Sequence, residues 1–387
     1  MHRRFRPAVA AFATIAVLGR AATGAAPADR PVHDGAPSPI PAKTIVEGTI
    51  AFPMDTSHGQ PIVDVMLDGK GPFKFFLDTG AGATVLNDDL AKELGLAILD
   101  STRLGDPANP QAVRADVVQL KSITLGAARF EGVGAVSWDR ATLRPGADSP
   151  RGVIGVGVFN DVLLALDYPK GEVRLTHGAL PAPDGDKVLA YTAPMGIPVV
   201  PVRLGAKTFR AHLDSGSPAS FMLPLAWKDS VKLAGEPVEM GRGRSANSTM
   251  IIYGAQLADT MRLGGHRFPG PMIQFNDALP DANLGGRVLR EFVVTLDQGN
   301  QRVRFDRTGK PEPSAGFMVR KGAGPGLEIM DTRPGSASAK AGDQIIAIGG
   351  KAIAEMAPES MMKALRTSPL HLTVRRDSTD REVDLIF

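Results

Sequence analysis

Two acidic turns are the residues best suited to chemistry. The stretch "FFLDTGAGATVL", Phe75 to Leu86, places Asp78 directly after three apolar residues and ahead of a Thr-Gly turn. The stretch "AHLDSGSPASFM", Ala211 to Met222, repeats this arrangement around Asp214. Each aspartate follows an apolar strand pattern, so each carboxyl is expected at the point where a buried strand ends.

A pair of such carboxyls can activate water. If the two segments pack about a pseudo-two-fold axis, Asp78 and Asp214 come together and share one proton, because like charges at about 3 Å cannot both ionise cheaply. The ionised member then acts as general base on a water, while the protonated member donates to a substrate carbonyl. Hydrolysis by this route needs no covalent intermediate, so we expect neither a cofactor nor a metal.

The neighbours of the two aspartates suit supporting roles. Gly80 and Gly216 permit tight turns and let backbone approach the carboxyls. Thr79 and Ser215 supply hydroxyls that can hydrogen-bond across the junction and keep the turns rigid. Asp78 alone would be interpreted as a strand-end turn residue. Together with Asp214 it favours catalysis, and the remaining alternative is a degenerate site kept for peptide binding.

An internal repeat joins the two turns. Residues 61–86 and 198–223 both show an alternating strand, a turn containing Gly or Lys, a second strand and then the acidic turn. The match continues downstream, where Ile154-Gly155 and Leu284-Gly285 stand at the same distance before Asp167 and Asp297. A single Asp-Ser/Thr-Gly triplet is weak evidence, but two within matching flanks indicate a tandem duplication of one β-rich unit.

The remaining patterns divide the chain. A short helix is predicted at "DDLAKELGL" and ends at Gly95. Residues 181–186 are typical of a linker, and residues 29–45 form a Pro-rich leader. Two polar stretches rich in Gly, Pro or Ser, 104–116 and 241–253, are typical of mobile flaps over a site.

The C-terminal residues 316–387 have a different pattern, with small-residue turns at Gly326-Leu327, Pro334-Gly335-Ser336, Gly342-Asp343-Gln344-Ile345 and Gly349-Gly350. At these residues the segment resembles a PDZ domain of the bacterial protease-associated type. The resemblance implies a small α+β domain that binds the C-terminus of an extended peptide. The alternative is a PDZ-like lobe that only packs on the catalytic unit.

The duplicated region resembles the pepsin and retropepsin superfamily of aspartic proteases, and specifically the retropepsin-like members. "LDTGA" at 77–81 matches the retropepsin signature, and "LDSGS" at 213–217 is the pepsin-type variant. The resemblance implies a mostly β fold with two tandem barrel lobes, 46–180 and 188–307, in one chain. It also implies that Asp78 and Asp214 are the catalytic pair of an aspartic-type endopeptidase. The second copy departs from the pattern at Pro218.

The N-terminus predicts export to the periplasm or secretion. Arg3, Arg4 and Arg6 precede the apolar run "AVAAFATIAVLG", and small residues up to Ala28 offer a cleavage point, so residues 1–28 form a signal peptide. An uncleaved anchor is the alternative. The formal net charge of +3 falls by four to −1 without the four Arg of this segment, so the basic pI does not indicate nucleic acid.

The expected partners are peptides or proteins. No further stretch is long and apolar enough to span a bilayer once the signal is removed, and no basic run points to nucleic acid. The absence of cysteine excludes disulfides and thiolate chemistry. Because the duplication supplies both halves of the site within one chain, we expect a monomer.

Overall fold

A computed structural model describes most of the chain. The described residues are 38–57, 59–106, 109–138, 149–244 and 249–308, with the dipeptides Ala10–Ala11 and Ala16–Val17 near the N-terminus. Towards the C-terminus they are 317–321, 326–332, 339–340, 342–357, 360–361, 364–365 and 369–385. The predicted signal peptide 1–28, apart from the two dipeptides, and the tips of both predicted flaps lie outside the described residues.

The first lobe is a closed barrel of six strands with three further strands at its edges. The strands of this sheet after residue 38 are Lys43–Ile45, Ile62–Leu67, Lys70–Asp78, Thr84–Asn87, Asp100–Asp106, Asn109–Leu125, Ala128–Trp138 and Gly152–Gly155. The ring closes because Asn109–Leu125 pairs with both Ile62–Leu67 and Ala128–Trp138. Lys43–Ile45, within the predicted leader, pairs with Ala128–Trp138. The strand that ends at Asp78 is therefore one of the six strands of the closed barrel.

The second lobe repeats this arrangement of strands, except that its two long strands are each interrupted once. Its strands are Val199–Leu204, Lys207–Asp214, Phe221–Pro224, Val238–Arg244, Thr249–Gln256, Thr260–Leu263, His266–Pro269, Met272–Asn276 and Ala282–Gly285. The two long strands of the first lobe correspond here to four shorter ones. One break falls at Gly270, which adopts a φ of +52°, and at Pro271, which has no N–H to donate.

A six-stranded antiparallel sheet joins the lobes. Its strands are Thr49–Pro53, Leu163–Asp167, Glu172–Thr176, Val188–Ala190, Phe292–Asp297 and Arg302–Arg307. Leu163–Asp167 and Phe292–Asp297 pair at its centre with Ala165 opposite Thr295, so the pseudo-two-fold axis passes between these two residues. The apolar core is continuous across this sheet and through both lobes.

The C-terminal strands form a separate sheet with its own core. They are Phe317–Lys321, Leu327–Thr332, Gln344–Ile348, Lys351–Ala352, Leu370–Arg376 and Thr379–Leu385. Eleven buried apolar residues from these strands and their connections make a second cluster. Inside this unit Arg376 forms a bidentate ion pair with Asp343, with both N–O distances at 2.6 Å.

Among the residues that the structure describes, helices are few and short. Those with described bounds are the α-helices Asp88–Leu94 and Gly286–Leu289 and the 3₁₀ helices Val156–Phe159, Pro194–Gly196, Leu225–Ser230 and Ile353–Glu355, and residues 360, 361 and 364 are also helical. The predicted helix ends where expected, because Gly95 takes a left-handed conformation with φ of 71°. Among the described residues, no helix combines the length and apolarity that a membrane span requires. The predicted mostly β fold is confirmed.

Candidate active site

The strands that end at Asp78 and Asp214 bring both carboxyls to the junction of the lobes. Lys70–Asp78 pairs in parallel with Gly152–Gly155, so that Gly155 lies opposite Asp78. Lys207–Asp214 pairs with Ala282–Gly285 in the same register, with Gly285 opposite Asp214. Both aspartates have 0 % of their surface exposed. The apolar-Gly pairs found in the sequence therefore support the two acidic turns from equivalent positions.

Each glycine of one turn lies against the carboxyl of the other. A Cβ placed on Gly80 would stand 2.7 Å from Asp214 Cγ, and a Cβ placed on Gly216 would stand 2.3 Å from Asp78 Oδ2. Only a residue without a side chain fits between the turns at these distances. The two acidic turns are thus in direct contact, as the symmetry argument predicted.

Four hydrogen bonds lock the turns together across the pseudo-two-fold axis. Thr79 N donates to Ser215 Oγ at 2.9 Å, and Ser215 N donates to Thr79 Oγ1 at 3.0 Å. Thr79 Oγ1 donates to the Leu213 carbonyl at 2.6 Å, and Ser215 Oγ donates to the Leu77 carbonyl at 2.8 Å. Each hydroxyl both accepts and donates, so every polar group of this buried network is satisfied by the opposite lobe.

The hydroxyl network predicts a loss of stability when Thr79 is replaced by Val. Val keeps the shape but leaves the Ser215 N–H and the Leu213 carbonyl buried without a partner. We expect the free energy of unfolding to fall by about 2–6 kcal/mol, at about 1–3 kcal/mol for each of the two orphaned groups. Denaturant titration measures it. The exposed Thr49→Val, on the interlobe sheet, is the control and should stay within about 0.5 kcal/mol of wild type.

The electrostatics of the pair favour one proton shared between the carboxyls. Burial raises the pKa of Asp78 well above its ordinary value of 3.8, and the negative charge of Asp214 raises it further. The amides of Gly80 and Gly216, which donate to Asp78 Oδ1 at 2.8 and 3.3 Å, oppose this rise only in part. A hydrogen bond between the two carboxyls, which needs a proton on one of them, would raise the pKa of Asp78 in the same direction.

Two side chains that the sequence analysis did not single out also reach the pair. Asn283 Nδ2 donates to Asp214 Oδ2 at 2.6 Å. Tyr168, directly after the interlobe strand Leu163–Asp167, buries its hydroxyl near Ser215, and burial raises its pKa so that it stays neutral. Asn283 could have been noticed as the polar residue in "ANLG" where the first copy has "GVIG". Tyr168 carries no such signal.

Each predicted flap belongs to a hairpin that packs beside the acidic turn of the same lobe. The hairpin Asp100–Asp106 and Asn109–Leu125 contributes Ala115 to an apolar cluster with Ala81. The hairpin Val238–Arg244 and Thr249–Gln256 contributes Ile252 to a cluster with Ala219. The hairpins thus occupy equivalent positions in the two lobes.

Two cavities lie on the second lobe, away from the carboxyl pair. One of about 640 Å³ lies between Trp227, Tyr253 and Leu279, and another of about 670 Å³ lies between Phe209, His212 and Trp227. His212 lines this second cavity and is partly buried. Within the described ranges, no group of three or more His, Asp or Glu residues has the arrangement of a metal site.

Comparison with known proteins assigns two domains. Residues 63–158 match the family described as aspartyl protease, and residues 303–375 match the PDZ domain family. The chain therefore contains an aspartyl protease domain and a PDZ domain, which confirms the predicted resemblance. The second repeat, with Asp214, lies outside the aspartyl protease match. The PDZ match begins within the strand Arg302–Arg307 of the interlobe sheet.

Similarity to individual proteins is remote. No curated protein matches the chain. Among solved structures, the crystal structure of basic 7S globulin from soybean is 13 % identical, covering 68 % of this chain and 95 % of that chain with a TM-score of 0.41.

Proposed function

We propose that this protein is an aspartic endopeptidase that hydrolyses peptide bonds with a water activated between Asp78 and Asp214. The observation that carries the proposal is the contact of two symmetry-equivalent acidic turns, with both carboxyls buried and each glycine against the opposite carboxyl. A strand-end turn residue needs no such partner. A carboxyl pair in this arrangement retains one proton and one charge, which is the requirement for acid–base catalysis on a peptide.

The chemistry proceeds in two balanced steps. In the first, the water oxygen bonds to the substrate carbonyl carbon, its proton passes to the ionised carboxyl, and the protonated carboxyl gives its proton to the carbonyl oxygen. In the second, the peptide nitrogen takes the proton from the carboxyl that received it, and one hydroxyl of the tetrahedral intermediate returns a proton to the other carboxyl. The C–N bond then breaks. The dyad recovers its single proton.

The rigid surroundings suit this cycle. The four crossed hydrogen bonds fix the two turns relative to each other, so the carboxyls need little reorganisation while the proton moves. The neutral hydroxyl of Tyr168 and the side chain of Arg290 lie near the same turns. Burial raises the pKa of Tyr168, and the positive charge of Arg290 opposes this rise in part.

The proposed setting is outside the cytoplasm, in the periplasm or the medium. Its support is the basic residues Arg3, Arg4 and Arg6 ahead of the apolar run 8–19. The PDZ domain suggests that a peptide is bound there, and we propose that it holds the C-terminus of a substrate or regulator.

Peptide cleavage by the full chain tests the function. A mixture of peptides is incubated with the protein over acid to neutral pH, and the products are identified by mass spectrometry. Internal cleavage that a statine-type mimic of the tetrahedral intermediate suppresses would support the proposal. Peptide binding without cleavage at any pH would contradict it and indicate a binding protein that uses the protease-like cleft.

The pH dependence of cleavage is a further expected result. Because catalysis needs one proton on the pair, kcat/KM should fall on both sides of an optimum. The alkaline limb should lie above the ordinary carboxyl range, since burial and Asp214 raise the pKa of Asp78. Initial rates at substrate concentrations below KM measure both limbs. A rate that rises steadily through neutral pH would contradict catalysis by a monoprotonated dyad.

A further inference from the structure

A loop of each lobe packs against the acidic turn of the other lobe. Residues 55–62 form the first loop and residues 192–199 the second, and in each loop the first and last residues exchange two backbone hydrogen bonds. A Cβ on Gly59, in the first loop, would stand 3.4 Å from the Cβ of Pro218, just after the second acidic turn. A Cβ on Gly82, just after the first acidic turn, would collide with the backbone of the second loop. The two loops therefore occupy equivalent positions across the junction of the lobes.

The two loops differ in the residue that precedes their proline. Pro61 and Pro198 begin the matching segments of the repeat, so Gln60 in the first loop is equivalent to Ile197 in the second. Ile197 is fully buried, and Gln60 has only 1 % of its surface exposed. Burying an amide where the fold accepts Ile costs free energy unless hydrogen bonds compensate. The side chain of Gln60 is therefore expected to make hydrogen bonds that Ile cannot make.

Gln60 reaches across the junction of the lobes to the second acidic turn. Its Nε2 donates to the carbonyl oxygen of Gly216. A carbonyl oxygen only accepts, so the side-chain amide must present its nitrogen at this contact. Gly216 is also the residue whose N–H donates to Asp78 Oδ1 at 3.3 Å, and its lack of a side chain leaves room for that carboxyl. A residue of the first lobe thus holds the glycine of the second lobe that contacts Asp78.

The hydrogen bond from Gly216 to Asp78 depends on the relative position of the two turns. Gly80 donates to the same oxygen at 2.8 Å, but it lies in the same turn as Asp78. Gly216 lies in the opposite lobe, and its 3.3 Å distance is just beyond the usual range for an N–H donor. A small displacement of the second turn would therefore break this hydrogen bond. A side chain that holds Gly216 from the first lobe opposes such a displacement.

We propose that Gln60 is a positioning residue that holds Gly216 against Asp78, so that the N–H of Gly216 stabilises the ionised form of this carboxyl. An N–H donor stabilises a carboxylate more than a carboxylic acid. The amide of Gly216 accordingly lowers the pKa of Asp78, against the larger effects of burial and of Asp214. This inference rests on the proposed function and adds to it a residue that lies outside both acidic turns.

The other charged or titratable groups that the structure describes near Asp78 come from separate elements. Asp214 faces Asp78 from the second acidic turn, and Tyr168 lies near both carboxyls at the end of an interlobe strand. Arg290 acts on Tyr168 by its charge, and its Nη2 would stand 2.9 Å from a Cβ on Gly59 in the first loop. Because Arg290 contacts this loop, the control for Gln60 must be a substitution in the same loop.

The test is the pH profile of kcat/KM for Gln60→Ile, which gives the first loop the residue that the second loop has. Asp78 is neutral in the doubly protonated pair and ionised in the doubly charged pair, so weakening a donor to its ionised form must raise the sum of the two apparent pKa values. We expect the two limbs together to move upward by about 0.5–1 pH unit, and kcat/KM at the optimum to fall about 10-fold. Gln60→Met, which is unbranched like Gln, should give the same result and covers the case that Ile does not fold.

The matched control is Thr56→Val, which changes a partly buried side chain of the same loop and keeps its shape. Both limbs and kcat/KM of this variant should stay at the wild-type values. If both Gln60 variants cleave more slowly with unmoved limbs, or if the limbs together move downward, the positioning role is wrong and the function stands. If the wild-type chain shows no cleavage that depends on Asp78 and Asp214, the function fails and this inference fails with it.

Discussion

Replacing either Asp78 or Asp214 by Asn should lower peptide cleavage by about 10⁴-fold or more, because the one carboxyl that remains cannot act as general base and general acid together. Asn has the same shape as Asp. At position 78 its Oδ1 can still accept the amides of Gly80 and Gly216, and its Nδ2 can donate to Asp214. The variant is therefore expected to fold, and kcat/KM on a cleaved peptide measures the loss.

The stability of Asp78→Asn supplies a second readout that needs no substrate. The folded-state pKa of Asp78 is raised above the ordinary value of 3.8, so its contribution to stability is fully present below 3.8 and is lost as the pH rises through the folded pKa. Asn at position 78 stays neutral, so the variant does not lose this stability as the pH rises from 3.8 through the folded pKa. The unfolding free energy of the variant relative to wild type should therefore increase with pH above 3.8.

The control for both aspartates is Asp64→Asn. Asp64 lies on the strand Ile62–Leu67 with 66 % of its side chain exposed, 3.8 Å from Lys74 Nζ. Exposed ion pairs contribute little, so cleavage and stability should stay close to wild type. Cleavage by Asp78→Asn and Asp214→Asn at the wild-type rate would contradict the proposed function.

Gly216→Ala is expected to lower kcat/KM by about 100-fold or more although it removes no catalytic group. The new Cβ would lie 2.3 Å from Asp78 Oδ2 and 2.4 Å from Asp78 Cγ, so the carboxyl must move. A displacement of about 1 Å at the reacting groups is enough for a loss of this size. Forcing a methyl group into this packed junction should also cost about 1–3 kcal/mol of unfolding free energy.

Gly235→Ala is the matched control for this substitution. No atom lies within 4 Å of a Cβ at Gly235, and its backbone does not adopt the left-handed region. Activity and stability should therefore be close to wild type, and kinetics and thermal unfolding on both variants separate a local clash from a general effect of removing glycine. Wild-type kcat/KM in Gly216→Ala would show that Asp78 in its observed position is not the working carboxyl.

The duplicated β fold could be predicted because the repeat carries long-range information. A short strand pattern does not say which strands pair, but two copies of the same turn imply an axis that brings them together. The roles of Thr79 and Ser215 as a crossed hydroxyl network followed from the same symmetry. Gly80 and Gly216 were expected near the carboxyls. A pseudo-two-fold axis between the two turns places each glycine against the aspartate of the other turn, as the structure shows.

The asymmetric features could not be predicted in this way. Asn283 reaches Asp214 only because its strand lies beside Lys207–Asp214, a parallel pairing between segments about seventy residues apart. Tyr168 comes to the dyad from the interlobe sheet, whose existence depends on both lobes folding together. One of the two breaks in the second lobe falls at Gly270 and Pro271, and neither residue shows from sequence alone which strand it interrupts.

The interlobe sheet shows an advantage of having both lobes of the site in one chain. Identical lobes on separate chains would meet only at a rate and extent set by protein concentration. Here the connection between Glu172–Thr176 and Val188–Ala190 holds the halves together at a high effective concentration, so assembly of the site does not depend on dilution. The linkage also lets each copy diverge independently, which a symmetric dimer encoded by one sequence does not permit.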